Sequence, residues 1–168
     1  SYLPSWRPNS DYRKGYAADA QTGGVIFDDI HEIDLANYLL GPAAVVACAA
    51  RSTGALSFDA EDCADVILSH EGGHQSTIHM DFASPVRQRR TEIVGTEGVL
   101  RLDISRRHLE LLDKDGNITQ SVTASTELND DYLDELRSFL ACIDGMETPR
   151  CEAEEAISVL TQVIKARS

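Results

Sequence analysis

The sequence predicts an α+β fold: an open, mostly antiparallel β-sheet with helices packed on one face and the other face available for oligomerisation. Two observations carry that prediction. Apolar residues recur at helical spacing near both ends of the chain, and they alternate in short runs through its middle. The strand-like runs form one uninterrupted block. Strands without intervening helices pair antiparallel, and the helices segregate to one face. The 168 residues suit a single domain, residues 1–168.

Residues 1–10 read as a loop, with Pro4 and Pro8 flanking Trp6 and Arg7. Asp11 is a helix cap for a short helix from Tyr12 to about Ala20, which Gln21-Thr22-Gly23-Gly24 breaks. A long helix is expected from Val25 to Leu40, with Ile26, Ile30, Ile33 and Asn37 on its inner stripe. Gly41-Pro42 ends it. Ala43–Ala50 reads as a buried strand. Asp62–His70 and His74–Phe82 read as a hairpin around Glu71-Gly72-Gly73, because Ile78, Met80 and Phe82 alternate with Thr77, His79 and Asp81. Further strands are expected at Arg90–Gly95, Val99–Ile104, His108–Leu112 and Ile118–Ala124. Asn129 or Asp130 caps a helix that buries Tyr132, Leu133, Leu136, Phe139, Leu140 and Ile143, and Gly145 stops it. The last helix starts near Glu152 and buries Ala156, Val159, Leu160, Val163 and Ile164.

Composition narrows the function. Twenty-eight acids against 15 bases give a net charge of −13, which repels phosphate backbones and disfavours nucleic acid as a partner. No apolar run is long enough to span a bilayer, and the start carries no signal-peptide pattern. Cys48, Cys63, Cys142 and Cys151 form no C-x-x-C pair and are expected as reduced thiols in a cytoplasmic protein. His70, His74 and His79, with Glu71 and Asp81, surround one hairpin without tight ligand spacing, so no metal is expected. No G-x-S-x-G elbow is present.

The segment most suggestive of chemistry is Gly23-Gly24 followed by Asp28, His31, Glu32 and Asp34. Asp28, His31 and Asp34 are three apart, near one face of a helix. An imidazole there can exchange a proton with a substrate hydroxyl, and a neighbouring carboxylate can set its tautomer. The competing reading is a helix start rich in acids, which favour the positive end of the helix dipole. Trp6, Arg7, Tyr12 and Arg13 suit a sugar or polyol ring through stacking and guanidinium hydrogen bonds; alternatively they form a surface loop whose tryptophan plugs the domain edge.

Tyr2-Leu3-Pro4-Ser5-Trp6-Arg7-Pro8, Asp11-Tyr12-Arg13, Gly23-Gly24…Asp28…His31-Glu32-Ile33-Asp34 and Ile93-Val94-Gly95-Thr96-Glu97-Gly98 occur in that order. Together they resemble the second half of the glucose-fructose oxidoreductase / inositol dehydrogenase / rhizopine-catabolism family, Gfo/Idh/MocA. The resemblance implies a C-terminal substrate and oligomerisation domain of an oxidoreductase whose N-terminal Rossmann domain binds NAD or NADP. The chain itself shows neither a G-x-G-x-x-G fingerprint nor the family's Glu-Lys-Pro segment; its only lysines, Lys14, Lys114 and Lys165, precede no proline.

The resemblance further implies a catalytic His31 as acid/base with Asp28 orienting it, although the family often places that aspartate four residues before the histidine, where Phe27 stands. Substrate contacts are expected from Trp6, Arg7, Tyr12 and Arg13. The implied substrate is a sugar, polyol or related hydroxy compound, and the implied assembly is a homo-dimer or tetramer through the sheet face. The start at Ser1 suits a fragment, which alone is expected to be inactive and to bind NAD(H) weakly. The alternatives are a non-catalytic oligomerisation or ligand-binding domain and, behind it, a metal-binding domain.

Overall fold

The computed structural model describes residues 3–6 and 9–168, which divide into two compact units. Each antiparallel sheet belongs to one unit, so the α+β architecture holds, with the strands divided between two sheets instead of one. The division falls at the segment after Asp81, where Pro85 removes a backbone donor and no ladder links the strands on either side.

The first unit spans residues up to Val86 together with Cys151–Ser168. Its strands β1 (Ala43–Arg51), β2 (Cys63–His70) and β3 (Gln75–Asp81) pair in the order β1-β2-β3. Alternation puts Ala64, Val66 and Leu68 of β2 and Met80 of β3 on one dry face, while Asp65, Thr77 and His79 point the other way. A bulge between Val45 and Ala47 leaves Val46 exposed and keeps Val45 in the core.

Helices cover the dry face. Val25 and Ile26 of α2 (Val25–Asp28), Ile33 of α3 (Ile30–Leu40) and Val159 and Val163 of α5 (Ala153–Arg167) join the sheet residues and Phe82 in one core. The expected helix over 25–40 is interrupted at Asp29, whose φ of −97° and ψ of 27° leave the helical region. Asn37, on the inner stripe, is explained by buried Gln162: Asn37 Nδ2 donates to Gln162 Oε1 at 2.9 Å, and Gln162 Nε2 donates to the Ala43 carbonyl at 2.9 Å. Leu160 and Ile164 of α5 are exposed, contrary to expectation; Val159, Gln162, Val163 and Ala166 form its buried face.

The N-terminal segment forms a short helix α1 (Leu3–Trp6) where a loop was expected. The expected helix over 12–20 is two 3-10 turns, Tyr12–Lys14 and Tyr16–Ala18. Asp11 caps the first by accepting from Arg13 N–H. Asp19 closes the second by accepting the N–H groups of Gln21 and Thr22, which hold its carboxyl below the usual carboxylate range.

The second unit, Arg87–Arg150, carries β4 (Arg90–Gly95), β5 (Gly98–Asp103), β6 (His108–Leu112) and β7 (Ile118–Thr123) in a sheet of that order. Register puts Glu92–Arg101 and Arg90–Asp103 on one face and Ile93, Leu100, Leu102, Leu109 and Leu111 on the other. Helix α4 (Leu128–Ile143) begins two or three residues earlier than expected, with Asp130 accepting from Glu127 N–H at 2.7 Å. Arg107 ties its start down through the Glu127 carbonyl, Thr126 and Asp131. Its apolar stripe has the helical period but is not buried: Tyr132, Leu133, Leu136, Phe139, Leu140 and Ile143 are 40–66% exposed. The amphipathic pattern formed the helix, but nothing in its own unit covers that face.

Leu68 is fully buried between sheet and helices. Leu68→Ala is expected to cost about 2–5 kcal/mol, read as a lower urea midpoint at unchanged slope.

Candidate functional site

Two glycines shape the site. Gly23 runs so close to the first 3-10 segments that a Cβ would lie 1.9 Å from the Tyr16 carbonyl oxygen. Gly24 takes φ +94°, and a Cβ there would meet the Glu61 carboxylate at 2.1 Å. Gly24 N–H bonds the Ala17 carbonyl and Val25 N–H bonds the Glu61 carbonyl, each at 2.9 Å. This turn delivers α2 and the start of α3 beside the 3-10 turns.

Arg167 locks the arrangement from the end of α5. Its Nη2 donates to Glu61 Oε2 at 3.0 Å and to the Ala20 carbonyl at 2.8 Å, and its guanidinium lies 5.0 Å from the centroid of the Phe27 ring. Glu61 Oε1 is buried without a hydrogen-bond partner, beside Gly24.

Between these parts opens a cleft of about 590 Å³, lined by Leu3, Ser10–Tyr12, Lys14–Ala17, Asp28, Asp29 and His31. His31 is therefore on the cleft wall and not in the hydrophobic interior; its side chain is 46% exposed. Its Nε2 lies 3.3 Å from Glu32 Oε1 and 3.6 Å from Asp29 Oδ1, distances for charge attraction more than for a good hydrogen bond. Asp28 lines the same cleft and accepts a hydrogen bond from the Tyr16 hydroxyl. Tyr12 donates its hydroxyl to the Leu56 carbonyl at 3.2 Å and packs edge-on to Phe58, leaving part of its ring as cleft wall.

The other expected substrate residues are distributed differently. Arg13 is not among the cleft-lining residues; it makes a two-point pair with Asp11, at 2.7 and 3.1 Å, which holds the Asp11 carboxyl below its usual range. Arg7 and the Trp6 side chain lie outside the described residues. Lys14, Tyr16 and Asp29 line the cleft and were not singled out from the sequence. The signal for Asp29 was the Asp28-Asp29 doublet itself, since aspartate competes with helical backbone and favours helix ends.

Asp29 is the electrostatically strained member. Desolvation pushes its carboxyl above the ordinary range, the His31 charge opposes that, and Asp28 and Glu32 reinforce it. The hairpin histidines have structural partners. Buried His70 donates from Nδ1 to the Gly41 carbonyl at 2.7 Å and accepts at Nε2 from Ser76 at 3.0 Å, while His79 pairs with Asp65 at 2.7 Å. Among the described residues, no group of three or more His, Cys, Asp or Glu is placed to hold a metal ion, and no helix is long and apolar enough to cross a membrane. The Gly23–Gly24 turn closes on the Glu61 carboxylate, so this turn offers no cradle for a pyrophosphate.

The cleft brings an imidazole, carboxylates and aromatic hydroxyls together on an antiparallel α+β scaffold. Residues 1–101 match the GFO/IDH/MocA C-terminal domain, and the chain belongs to that family. It is 34% identical over 131 residues to a D-apiose dehydrogenase of Paraburkholderia graminis, a match covering 72% of this chain and 33% of that protein. The chain thus spans about a third of the length of the curated relatives it matches. Two solved structures share its fold. One is an oxidoreductase from Agrobacterium radiobacter in complex with NAD+, L-tartaric acid and magnesium, with a TM-score of 0.75 at 18% identity, covering 95% of this chain and 50% of that one. The other is levoglucosan dehydrogenase with NADH and levoglucosan, with a TM-score of 0.75 at 15% identity, covering 90% and 50%.

The sign of the Asp29 effect is testable. Its proton is held more tightly in the fold than in the unfolded chain. The stability this gives is complete below the ordinary aspartate value and is lost as pH rises through the raised one. Asp29→Asn is therefore expected to raise the melting temperature at neutral pH, and the gain should vanish below the ordinary carboxylate range.

Proposed function

We propose that this chain is the substrate-side domain of an NAD(P)-dependent oxidoreductase acting on a sugar, polyol or related hydroxy compound. The observation that carries the reading is the placement of His31 on the wall of a cleft that Asp28, Asp29, Tyr12 and Tyr16 also line. NAD or NADP, held by a Rossmann domain outside this chain, would supply the hydride acceptor.

The chain's own residues handle the alcohol. A hydroxyl entering the cleft loses its proton to the His31 imidazole, forming an N–H bond as the O–H bond breaks. Asp28, fixed by Tyr16, presents an acceptor to a neighbouring hydroxyl, and the Tyr12 ring offers an apolar wall to a sugar face. Trp6, Arg7 and Arg13 remain proposed substrate contacts. Lys14 adds a cationic group to the lining of a domain that lacks the family's Glu-Lys-Pro lysine. The D-apiose dehydrogenase relatives and the sugar-bound fold neighbour support a carbohydrate substrate.

A second reading concerns assembly in the cytoplasm. The row Ile93, Leu100, Leu102, Leu109 and Leu111 on one face of the second sheet favours a homo-oligomer through that face.

In the intact enzyme, His31→Ala is expected to lower turnover roughly 10²–10⁴-fold, the usual worth of an acid/base group; an unchanged rate removes His31 from the reaction. This chain alone should show no micromolar NADH affinity by calorimetry. Light scattering should report a dimer or larger species that Leu111→Glu dissociates; a wild-type monomer at high concentration counts against the sheet-face assembly.

A further inference from the structure

Asp29 sits at a break that a continuous helix would not have. Its N–H reaches back to the Val25 carbonyl at 2.9 Å, and its own carbonyl accepts from Glu32 N–H at 3.0 Å, so it ends one helix and starts the next. The break leaves its side chain largely buried, on the cleft wall, with Oδ1 3.6 Å from His31 Nε2. Glu32 is closer to the imidazole, at 3.3 Å, but does not line the cleft. Asp28 lines the cleft and is engaged by Tyr16. The cleft is also lined by Asp11, paired with Arg13, and by Tyr12, Lys14 and Tyr16. Asp29 combines both conditions: it lines the cleft and stands within ion-pair reach of the ring.

We propose that Asp29 is the positioning residue of the site, the carboxylate that orients His31 in the cleft and balances its charge when the imidazole takes the substrate's proton. The inference rests on the reading of His31 given above. The proton leaves the hydroxyl oxygen and bonds to an imidazole nitrogen, and the resulting cation faces Asp29 without a change in Asp29's own charge. Release to water after product departure restores the neutral ring. The fold retains a carboxylate whose burial disfavours its charged form, the pattern of a group kept for chemistry at a cost to stability.

The test uses the intact enzyme with an aldose or polyol substrate and compares Asp29→Asn, Asp28→Asn, Glu32→Gln and His31→Ala. Asp29→Asn is expected to lower kcat roughly ten- to a hundredfold, part of the 10²–10⁴ that an acid/base group supplies, with KM little changed. The acid limb of its kcat/KM profile should move to lower pH by about half a unit or more, further than in Asp28→Asn or Glu32→Gln, because a neighbouring negative charge has been removed. Its melting temperature at neutral pH should not fall. If His31→Ala is impaired while Asp29→Asn keeps the wild-type rate and profile, this inference fails and the reading of His31 stands. If Asp29→Asn loses activity only together with thermal stability, its role is structural and the inference again fails. If His31→Ala is fully active, the underlying reading fails first.

Discussion

The close passage of the Gly23 backbone against that of Tyr16 is the constraint on which the cleft depends. No side chain fits there, so the two 3-10 turns and the start of α2 are held at backbone contact. Most of the cleft wall hangs from those two segments: Tyr12, Lys14 and Tyr16 from one, and Asp28, Asp29 and His31 from the other. The site is thus built on a short, sterically pinned turn next to a rigid core, which suits chemistry that needs fixed distances. The Arg167–Glu61 pair extends that rigidity to the end of the chain. Two residues 106 positions apart in sequence clamp the same turn, and both are largely withdrawn from water.

The two units use their apolar residues differently. In the first, sheet and helices enclose a shared interior in which Val25, Ile26, Ile33, Val66, Leu68 and Val163 have no exposure. In the second, Leu112 is the one buried hydrophobic residue among those described, and the sheet and α4 keep large apolar surfaces in contact with solvent. Its order comes from ladders, from the Arg107 anchor at the start of α4, and from the Asp113–Asn117 turn, where Asp113 accepts from backbone and side chain. Cooperative stability resides mainly in the first unit, the one that carries the cleft.

The strands were legible in place: all seven appear within a residue or two of where the sequence put them. Ala43–Ala50, read as buried, keeps only Val45 in the core, because just one of its faces meets the helices. For His31 the residue pattern left two readings, a proton-transfer group and an acid-rich helix start, and what the structure adds is its place on the cleft wall. The helix break at Asp29 was not legible, because Val25-Ile26-Phe27 and Ile30 continue an unbroken apolar period through it. The Arg13 pairing was equally hidden, since Asp11 served two readings at once, helix cap and ion partner. The buried stripe of α4 failed for a different reason. Periodicity reports which face is apolar but not what covers it.

That bare stripe has a colloidal consequence. Copies of the chain carry six large apolar side chains along one helix, yet each also carries a net charge of −13. Long-range repulsion keeps like-charged molecules apart only over the screening distance, about 10 Å at 0.1 M salt and about 3 Å at 1 M. Dilute buffer therefore protects the stripe from sticking to its neighbours, while concentrated salt strips away the protection and at the same time strengthens hydrophobic adhesion.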